Sequence, residues 1–312
     1  MNRTLFIRRM VLRLNKAKDW LIAQVVFGIL ALLRLVPAQK AIDFTGYMAR
    51  KIGPWTARHA LVRYNLERAF PEKTEEERER IALDMWCNMA RLMAEYIFVE
   101  RLIDHDLETG DGGLIDVVGK ELFLDLRDNP RPFIVFTAHT GNFELLPIIA
   151  AKYGLNITAL FRPPNNPYIA QRLLSARRTH MGQLVPSQAG ASWTLASVLD
   201  AGGGVGLLVD QKFHKGALTR FFGRRVYTNP LLVKLARNYE CEVFPARSIR
   251  LPDGRFRLEI EPAVDLPRDD QGHIDVGATA QLLNDKVESW VREYPGQWQW
   301  FHDRWGKKHK LI

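Results

Sequence analysis

Short apolar runs alternate with longer stretches of helical periodicity from residue 114 almost to the end of the chain. The apolar runs, which we interpret as strands, are residues 114–118, 133–137, 157–161, 183–186, 205–209, 242–251 and 256–264. The stretches with helical spacing are residues 121–127, 143–153, 167–180, 189–201 and 275–294. This alternation predicts an α/β fold with a mostly parallel central sheet flanked by helices. The turn residues Pro252-Asp253-Gly254 predict an antiparallel hairpin between the last two runs.

Helical spacing dominates residues 38–110, ahead of the first predicted strand. Residues 38–70 have apolar positions at helical intervals, and Pro71 ends that run. Thr74 and Glu77 have the spacing of a capping box, in which each side chain bonds the backbone amide of the other residue. They predict the start of a long helix that reaches about Phe98. We therefore expect one domain over residues 38–312, helical over 38–110 and α/β over 111–312.

A basic amphipathic and then hydrophobic segment, residues 1–37, precedes this domain. Its apolar stretch, residues 20–36, is about as long as a membrane span, but Gln24 and Arg34 interrupt it. Basic residues on both flanks do not fit a simple crossing. We expect a membrane-associating helix that lies in the cytoplasmic leaflet, with both ends held by anionic headgroups. A single membrane span and a buried helix are the alternatives.

The composition is that of a globular protein with an uneven charge. The 312 residues are 47% hydrophobic and 25% charged, which are ordinary values for a folded chain. The net charge of +9 is high. Positions 1–70 hold 13 Lys and Arg against 3 Asp and Glu, which favours an anionic partner such as a membrane surface. The two cysteines, Cys87 and Cys241, lie far apart in apolar contexts, so they indicate neither a disulfide framework nor a zinc site.

The strongest candidate chemistry follows the predicted strand at 133–137. His139 comes two positions after this strand, and Glu144 follows five positions later, where a helix is predicted. Reactive groups in parallel sheets gather at the carboxyl ends of the strands. If the helix begins near Gly141, Glu144 lies in its first turn and can fold back towards the imidazole. We then expect His139 to act as a general base, with Glu144 fixing its tautomer and stabilising the imidazolium. Gly141 would let a substrate approach the backbone. The alternative is a core histidine that is merely hydrogen-bonded.

Two further predicted strand ends carry polar residues. Arg162 follows the run at 157–161, and Asp210-Gln211-Lys212 follows the run at 205–209. Arg162 is a candidate for substrate binding, but it could instead pair with Asp210. Asp210 could also cap a turn or a helix. The sequence alone leaves these alternatives open.

Basic residues cluster after the fifth predicted strand. The five cations of this cluster are Lys212, Lys215, Arg220, Arg224 and Arg225. Phosphate is the natural partner of such a cluster, and the alternative is a solvated basic loop. HExxH, CxxC, Walker and G-x-S-x-G motifs are all absent from the sequence, so metal catalysis and a serine nucleophile are poorly supported. No recognisable nucleic-acid-binding motif accompanies the basic residues.

Several stretches together carry a resemblance to a known family. They are the His-x4-Glu spacing at 139–144, NLERAFP at 65–71, FRP at 161–163 with NP at 166–167, VDQ at 209–211, and PGQWQWFHDRW at 295–305. Over residues 60–305 the chain resembles the late acyltransferases of lipid A biosynthesis, the lauroyl and myristoyl transferases of Gram-negative bacteria. These belong to the wider His-x4-Asp or Glu superfamily of glycerolipid acyltransferases.

The resemblance implies transfer of a fatty acyl chain from acyl carrier protein, or less often from coenzyme A. The acceptor would be a hydroxyl on a 3-hydroxyacyl chain of a phosphorylated glucosamine disaccharide. His139 would take the proton of that hydroxyl, because a secondary alcohol is otherwise a poor nucleophile. Arg162 or backbone amides near Gly141 would stabilise the tetrahedral oxyanion. Direct attack on the thioester would need no covalent enzyme intermediate.

The resemblance also implies the substrate-binding set and the partners. The set is Gly141, Asn142, Arg162, Asp210, Gln211, Lys212, Arg224 and Arg225. Lys212, Arg224 and Arg225 would meet the phosphates of the acceptor. The partners would be acyl carrier protein, the phosphorylated glycolipid and a membrane, with no nucleic acid, metal or cofactor. The expected location is the bacterial inner membrane, with the catalytic domain on its cytoplasmic face.

Three other functions stay open at this point. The same residue pair would suit an acyltransferase of another glycolipid, such as a mannosylated phosphoinositide. With water as nucleophile it would suit a membrane thioesterase or lipid hydrolase. A non-catalytic scaffold that only binds anionic lipid would also account for the basic N-terminal segment.

Overall fold

The computed structural model describes residues 3–102 and 113–306. Its α-helices are α1 Arg3–Leu33, α2 Ala38–Ile52, α3 His59–Ala69, α4 Glu75–Glu95, α5 Val99–Leu102, α6 Lys120–Asp128, α7 Leu145–Lys152, α8 Pro167–His180, α9 Ala191–Asp200, α10 Leu231–Tyr239 and α11 Val276–Glu293. Its strands are β1 Ile115–Val118, β2 Phe133–Thr137, β3 Ile157–Phe161, β4 Gln183–Pro186, β5 Gly204–Leu208, β6 Lys212–Phe221, β7 Arg224–Thr228, β8 Glu242–Arg250 and β9 Phe256–Ile260.

Seven of these strands form one central sheet in the order β1-β9-β8-β2-β5-β3-β4. The five strands β8, β2, β5, β3 and β4 run parallel to one another. β9 pairs with β8 in the antiparallel sense across the turn predicted at Pro252-Asp253-Gly254, and β1 runs parallel to β9. The predicted α/β class and mostly parallel sheet are therefore confirmed. β6 and β7 form a separate antiparallel hairpin, which the sequence analysis did not predict.

The helical part differs in one place from the expectation. Instead of one helical run over 38–70, α2 ends at Ile52, a 3₁₀ turn covers Gly53–Trp55, and α3 begins at His59. Pro54 in this turn has no backbone N–H to continue a helix. The capping box at the start of α4 forms as predicted, since Thr74 Oγ1 accepts from the backbone N–H of Glu77 at 3.2 Å and Glu77 Oε2 accepts from that of Thr74 at 2.8 Å.

Helix α1 covers most of the segment 1–37. It packs against α8, where the side chain of Asn166 donates to the backbone carbonyl of Asp19 at 2.7 Å. Several large apolar side chains of α1 are nevertheless exposed, namely Met10, Val11, Leu14, Trp20, Leu21, Ile22, Val25, Ile29 and Leu32. Within the described residues, no helix combines the length and the apolar character needed to span a bilayer. Membrane association of residues 1–37 stays a prediction.

The two faces of the central sheet are covered differently. Side chains alternate along β2, so Ile134 and Phe136 enter the main core with helices α3, α4, α9, α10 and α11, while Val135 and Thr137 face the opposite side. On that opposite side, α6 and α7 cover the sheet only in part. The segment after α11 enters the main core, where Trp298 and Trp300 are fully buried.

Candidate active site

His139 and Asp210 meet at the carboxyl end of the central sheet. His139 comes two residues after β2 and Asp210 two residues after β5, and these strands are hydrogen-bonded neighbours. His139 Nδ1 lies 2.8 Å from Asp210 Oδ1, and the backbone N–H of His139 donates to Oδ2 at 2.9 Å. Because an ionised carboxylate can only accept, Nδ1 carries the proton and Nε2 has a free lone pair. Asp210 therefore holds the imidazole in the tautomer of a general base.

The charges around this pair reinforce that assignment. Burial lowers the pKa of His139, but the charge and hydrogen bond of Asp210, together with the charge of Glu144, outweigh burial and leave the pKa above its ordinary value. Burial raises the pKa of Asp210, but His139 and the Trp298 indole hold it well below its usual range. The side chains of His139 and Asp210 are 13% and 2% exposed. Asp210 is thus ionised at neutral pH and lies behind an imidazole that reaches the surface of a cavity.

Two side chains lie against the exposed edge of the imidazole. The Gln211 side-chain nitrogen is 3.2 Å from His139 Nε2, and the Phe143 ring contacts the imidazole edge-on at 4.9 Å between centroids. With Nδ1 protonated, Nε2 accepts from the Gln211 amide. A hydroxyl that binds His139 would occupy the same side of the ring.

Glu144 does not make the contact that the sequence predicted. Its carboxylate accepts a hydrogen bond from Arg177 of α8, and Arg177 also donates to the Tyr96 hydroxyl at 3.0 Å. Burial and the charge of Glu144 raise the pKa of Tyr96. The reason for the difference is that α7 begins at Leu145 rather than near Gly141, so Glu144 precedes the helix and turns towards α8. The prediction that Glu144 orients His139 is corrected, since Asp210 does so, while a catalytic part for Glu144 stays a prediction.

Gly141 and Asn142 are buried in the protein rather than exposed to a substrate. Gly141 has a φ of +57°, and a Cβ at this position would collide with the carbonyl oxygen of Ser248, so only glycine fits here. Its backbone N–H donates to the carbonyl of Gln297 at 3.0 Å, so it is not free for an oxyanion. Asn142 donates to Glu95 at 2.8 Å. The predicted contacts of Gly141 and Asn142 with substrate are corrected, because both residues pack against the protein interior.

A cavity of about 910 Å³ opens beside His139 and runs along the less covered face of the sheet, next to α7. The sheet supplies mostly small and apolar residues, namely Val135, Ala159, Gly206, Leu208, Ala246, Leu258 and Ile260. Helices α6 and α7 supply Phe123, Leu146, Pro147, Ile149 and Ala150. Apolar lining of this extent suits a hydrocarbon chain or another apolar group better than a polar ligand. The imidazole thus lies beside a part of the cavity whose lining is mostly apolar.

Four cationic side chains line the same cavity, and their environments differ. Arg177 is paired with Glu144. Arg58, Arg162 and Lys212 have no carboxylate partner within ion-pair distance among the described residues. Asp210, which the sequence offered as a partner for Arg162, is bonded instead to His139 and Trp298. Three unpaired cations in one cavity favour an anionic ligand group.

Arg224 and Arg225 lie on β7 and do not line this cavity. The Arg224 side chain donates to the backbone carbonyl of Arg68 at 2.9 Å, and Arg225 is exposed and pairs with Arg220 in the hairpin register. The expectation that they share a phosphate site with Lys212 is corrected, since the hairpin carries them away from it. The structure thus brings five predicted residues to one cavity, namely His139, Glu144, Arg162, Gln211 and Lys212, with Asp210 directly behind His139.

The sequence analysis missed the contribution of the segment after α11. The Trp298 indole N–H donates to Asp210 Oδ2 at 2.8 Å, and the Gln299 backbone N–H donates to the carbonyl of His139 at 3.1 Å. His302 Nε2 accepts from the backbone N–H of Lys212 at 3.0 Å, and burial lowers the pKa of His302 to about 4. The PGQWQWFHDRW stretch was visible as a family feature, but no local spacing linked it to His139. Arg58, Tyr96 and Arg177 were missed for the same reason.

A metal site has no candidate among the described side chains. Across residues 3–102 and 113–306, no three His, Cys, Asp or Glu side chains come together as metal ligands would. Cys87 and Cys241 are free thiols, and burial raises the pKa of Cys241 to about 11. Neither thiol lines the cavity beside His139.

Comparison with known proteins points in one direction. Residues 9–307 match the family described as "Bacterial lipid A biosynthesis acyltransferase". A lipid A biosynthesis acyltransferase of Haemophilus influenzae is 25% identical over 293 residues, which cover 91% of this chain and 87% of that protein. A lipid A biosynthesis myristoyltransferase of Escherichia coli K12 is 26% identical over 260 residues, 82% of this chain and 76% of that protein. A lipid A biosynthesis acyltransferase 1 of Shigella flexneri is 25% identical with the same coverage.

Proposed function

Because this chain belongs to the family of bacterial lipid A biosynthesis acyltransferases, we propose that it transfers a fatty acyl chain from a thioester donor to a hydroxyl on a 3-hydroxyacyl chain of a phosphorylated lipid A precursor. The observation that carries the proposal is the position of His139, which is backed by an ionised Asp210 and opens onto an apolar cavity. The donor is acyl carrier protein or, less often, coenzyme A.

In the proposed reaction, His139 Nε2 takes the proton of the acceptor hydroxyl while its oxygen attacks the thioester carbonyl. Asp210 stabilises the imidazolium that forms, because its carboxylate faces the protonated Nδ1 at 2.8 Å. The tetrahedral oxyanion collapses with expulsion of the thiolate, which takes up the proton held by the imidazolium. Gln211 and Arg162 are the proposed donors to the oxyanion, since both line the cavity and Gln211 lies against Nε2.

The apolar part of the cavity is the proposed site for an acyl chain. Ala159, Gly206 and Ala246 on the sheet leave room for a chain that would lie along the strands. Burial of methylene groups there would contribute about 0.8 kcal/mol each. The binding of a long chain in this cavity would place its thioester carbonyl beside His139.

The cations account for the remaining parts of the proposed substrates. Arg58 and Lys212 line the cavity without carboxylate partners among the described residues, so they would bind a phosphate of the acceptor or donor, while Arg162 would act on the oxyanion. The hairpin cations Arg224 and Arg225 lie elsewhere, and they would steer an acidic carrier protein through long-range attraction. This division replaces the single phosphate site expected from the sequence.

The exposed apolar side chains of α1 support a membrane location for the reaction. They form a surface rich in Leu, Ile, Val and Trp next to basic residues such as Arg13 and Lys18. A helix of this kind would lie in the interface of an anionic membrane. Since the acceptor is a lipid and the donor is cytoplasmic, the proposed location is the cytoplasmic face of the bacterial inner membrane.

The test is acyl transfer by the purified full chain with a phosphorylated lipid A precursor and an acyl-carrier-protein donor. Mass spectrometry follows the acylated lipid. His139→Ala should lower the rate by about 10³–10⁴-fold, because it removes the general base. His273→Ala is the matched control, since the side chain of His273 is 53% exposed in the turn before α11.

Each other outcome counts against the proposal. Near-normal turnover by His139→Ala would contradict the mechanism. Consumption of the donor without acylated lipid would favour a thioesterase or hydrolase. Transfer to a mannosylated phosphoinositide but not to a lipid A precursor would change the acceptor. Binding to anionic liposomes without any transfer would favour a scaffold.

A further inference from the structure

Asp210 has a third hydrogen-bond donor besides the two from His139. The Trp298 indole N–H donates to Oδ2 at 2.8 Å, while Oδ1 faces His139 Nδ1 at 2.8 Å and Oδ2 also accepts the His139 backbone N–H at 2.9 Å. The side chain of Trp298 is fully buried and that of Asp210 is 2% exposed. Solvent therefore has little access to replace any of these donors.

The backbone around Trp298 is tied to the same turn. Trp298 forms an isolated β-bridge with Thr140, the Gln299 N–H donates to the His139 carbonyl at 3.1 Å, and the Gly141 N–H donates to the Gln297 carbonyl at 3.0 Å. Phe221 and Trp300 pack against the indole at 5.6 and 4.6 Å between ring centroids. The position of the indole N–H is thus fixed by the backbone and by two packed aromatic rings.

We propose that Trp298 is a positioning residue of the proposed acyl transfer that acts through Asp210. Its indole N–H withdraws part of the carboxylate charge from the imidazole, while the two bonds from His139 keep the carboxylate facing the ring. The kinetic part of this inference rests on the proposed function. The effect on the proton equilibrium of His139 does not, because it is a property of the protein without substrate.

The sign of the expected effect follows from the charges. A carboxylate that shares its charge with an extra donor attracts an imidazolium less strongly, so loss of the indole N–H should stabilise the protonated His139. The other charged groups that act on this pair are Glu144, His302 and Arg304. They stay in place when only the indole changes. The pKa of His139 should therefore rise by up to about one unit, since the indole interaction is only partly felt at the imidazole.

The experiment is a pair of matched variants. Trp298→Phe removes the indole N–H from Asp210. Trp290→Phe is the control, because it removes a similarly buried indole N–H that has no hydrogen-bond partner among the described residues and whose ring packs against Phe136. Titration of His139 is followed by NMR with labelled histidine, and the signal is assigned by its loss in His139→Ala. Transfer kinetics are measured against pH for both variants.

Trp298→Phe should move the titration of His139 and the acid limb of kcat/KM to higher pH, with a fall in kcat of about tenfold and little change in KM. Trp290→Phe should leave both pH values unchanged. An unmoved titration in Trp298→Phe, or the same shift in both variants, would overturn the proposal. If Trp298→Phe does not fold, Trp298→3-benzothienylalanine removes the N–H while keeping the ring shape, and the same outcomes decide.

Failure of the proposed function would look different. A protein that transfers no acyl chain but shows the shifted titration would contradict the acyltransferase assignment and support the role of Trp298. If the protein transfers acyl chains but Trp298→Phe does not shift the titration of His139, the acyltransferase assignment is supported and the role of Trp298 is contradicted.

Discussion

Two buried carboxylates, Glu144 within the segment that joins β2 to α7 and Asp210 bonded to that segment, have different partners. Asp210 faces His139, whose imidazole can gain and lose a proton, and Glu144 faces Arg177, whose guanidinium does not release its proton in any physiological range. Both carboxylates are close enough to raise the pKa of His139. Asp210 acts through contact, and Glu144 acts from a distance through its charge. Proximity in sequence to His139 therefore does not identify the group that controls it.

The difference separates a proton-transfer pair from a charge-balanced pair. An imidazole held by one carboxylate can gain and lose a proton during a reaction, and its free nitrogen faces the cavity. A guanidinium–carboxylate pair instead fixes a charge arrangement and holds α8 against the turn before α7. Variants of the two pairs should therefore have different effects. A change at Asp210 should shift the pH dependence of the transfer rate, whereas a change at Glu144 should be energetically coupled to a change at Arg177.

The largest effect within this comparison is expected for Asp210→Asn, with a loss of about 10³-fold in kcat, since the amide favours the wrong imidazole tautomer. The charge that offsets burial also disappears, so the pKa of His139 should fall and the acid limb of kcat/KM should move to lower pH. This direction is opposite to that expected for Trp298→Phe. pH–rate profiles of both variants measure it, and an acid limb that moves upwards in Asp210→Asn would contradict the assignment of Asp210.

The sequence predicted much of the sheet but not the partner of His139. Residues 133–137, 157–161 and 183–186 coincide with β2, β3 and β4, because runs that are apolar or flanked by turn residues mark strands locally. The contact of His139 with Asp210 joins residues 71 positions apart. It depends on β2 and β5 being neighbours, and strand order is a tertiary property that no local spacing reveals. Local spacing favoured Glu144 only because the helix was expected four residues too early.

The hairpin of β6 and β7 was missed for a related reason. Lys212, Lys215, Arg220, Arg224 and Arg225 give this region the composition of a solvated loop. Its strands are nevertheless held by buried contacts to α11, where the side chain of Asn284 donates to the hydroxyls of Thr219 and Thr228 at 2.8 and 2.9 Å. The basic residues of this region therefore resemble a loop in sequence, although buried contacts with α11 stabilise the two strands.

A smaller effect is expected for the second carboxylate. Glu144→Gln and Arg177→Gln should each lower kcat/KM by about 10- to 100-fold, because either change leaves a partly buried charge without its partner. The double variant should lose about as much as one single variant, since the pair acts as a unit. A double-mutant cycle on kcat/KM, with thermal unfolding in parallel, measures this coupling.

Arg131→Gln is the control for this cycle, because Arg131 pairs with Asp125 and Glu242 away from the cavity. It should change the unfolding temperature but not the transfer rate. Additive losses in the Glu144 and Arg177 cycle would mean that Glu144 acts independently of Arg177, and would restore a direct catalytic part for it.

The smallest effect is expected at Arg58, a cavity cation without a carboxylate partner among the described residues, which completes the contrast with Arg177. Arg58→Gln should raise the KM of a phosphorylated substrate by about five- to tenfold, equivalent to about 1 kcal/mol, and leave kcat nearly unchanged, because a phosphate contact remote from the reacting atoms binds ground state and transition state alike. Arg255→Gln removes the same charge from the exposed turn between β8 and β9 and is the matched control. Acceptors with and without phosphate, and acyl-phosphopantetheine against acyl-pantetheine donors, identify which substrate carries the group. A specific phosphate contact must disappear when the phosphate is removed from the substrate. If Arg58→Gln raises the KM of phosphate-free substrates equally, or if both variants raise KM equally, Arg58 contributes only to the overall positive electrostatic potential of the protein.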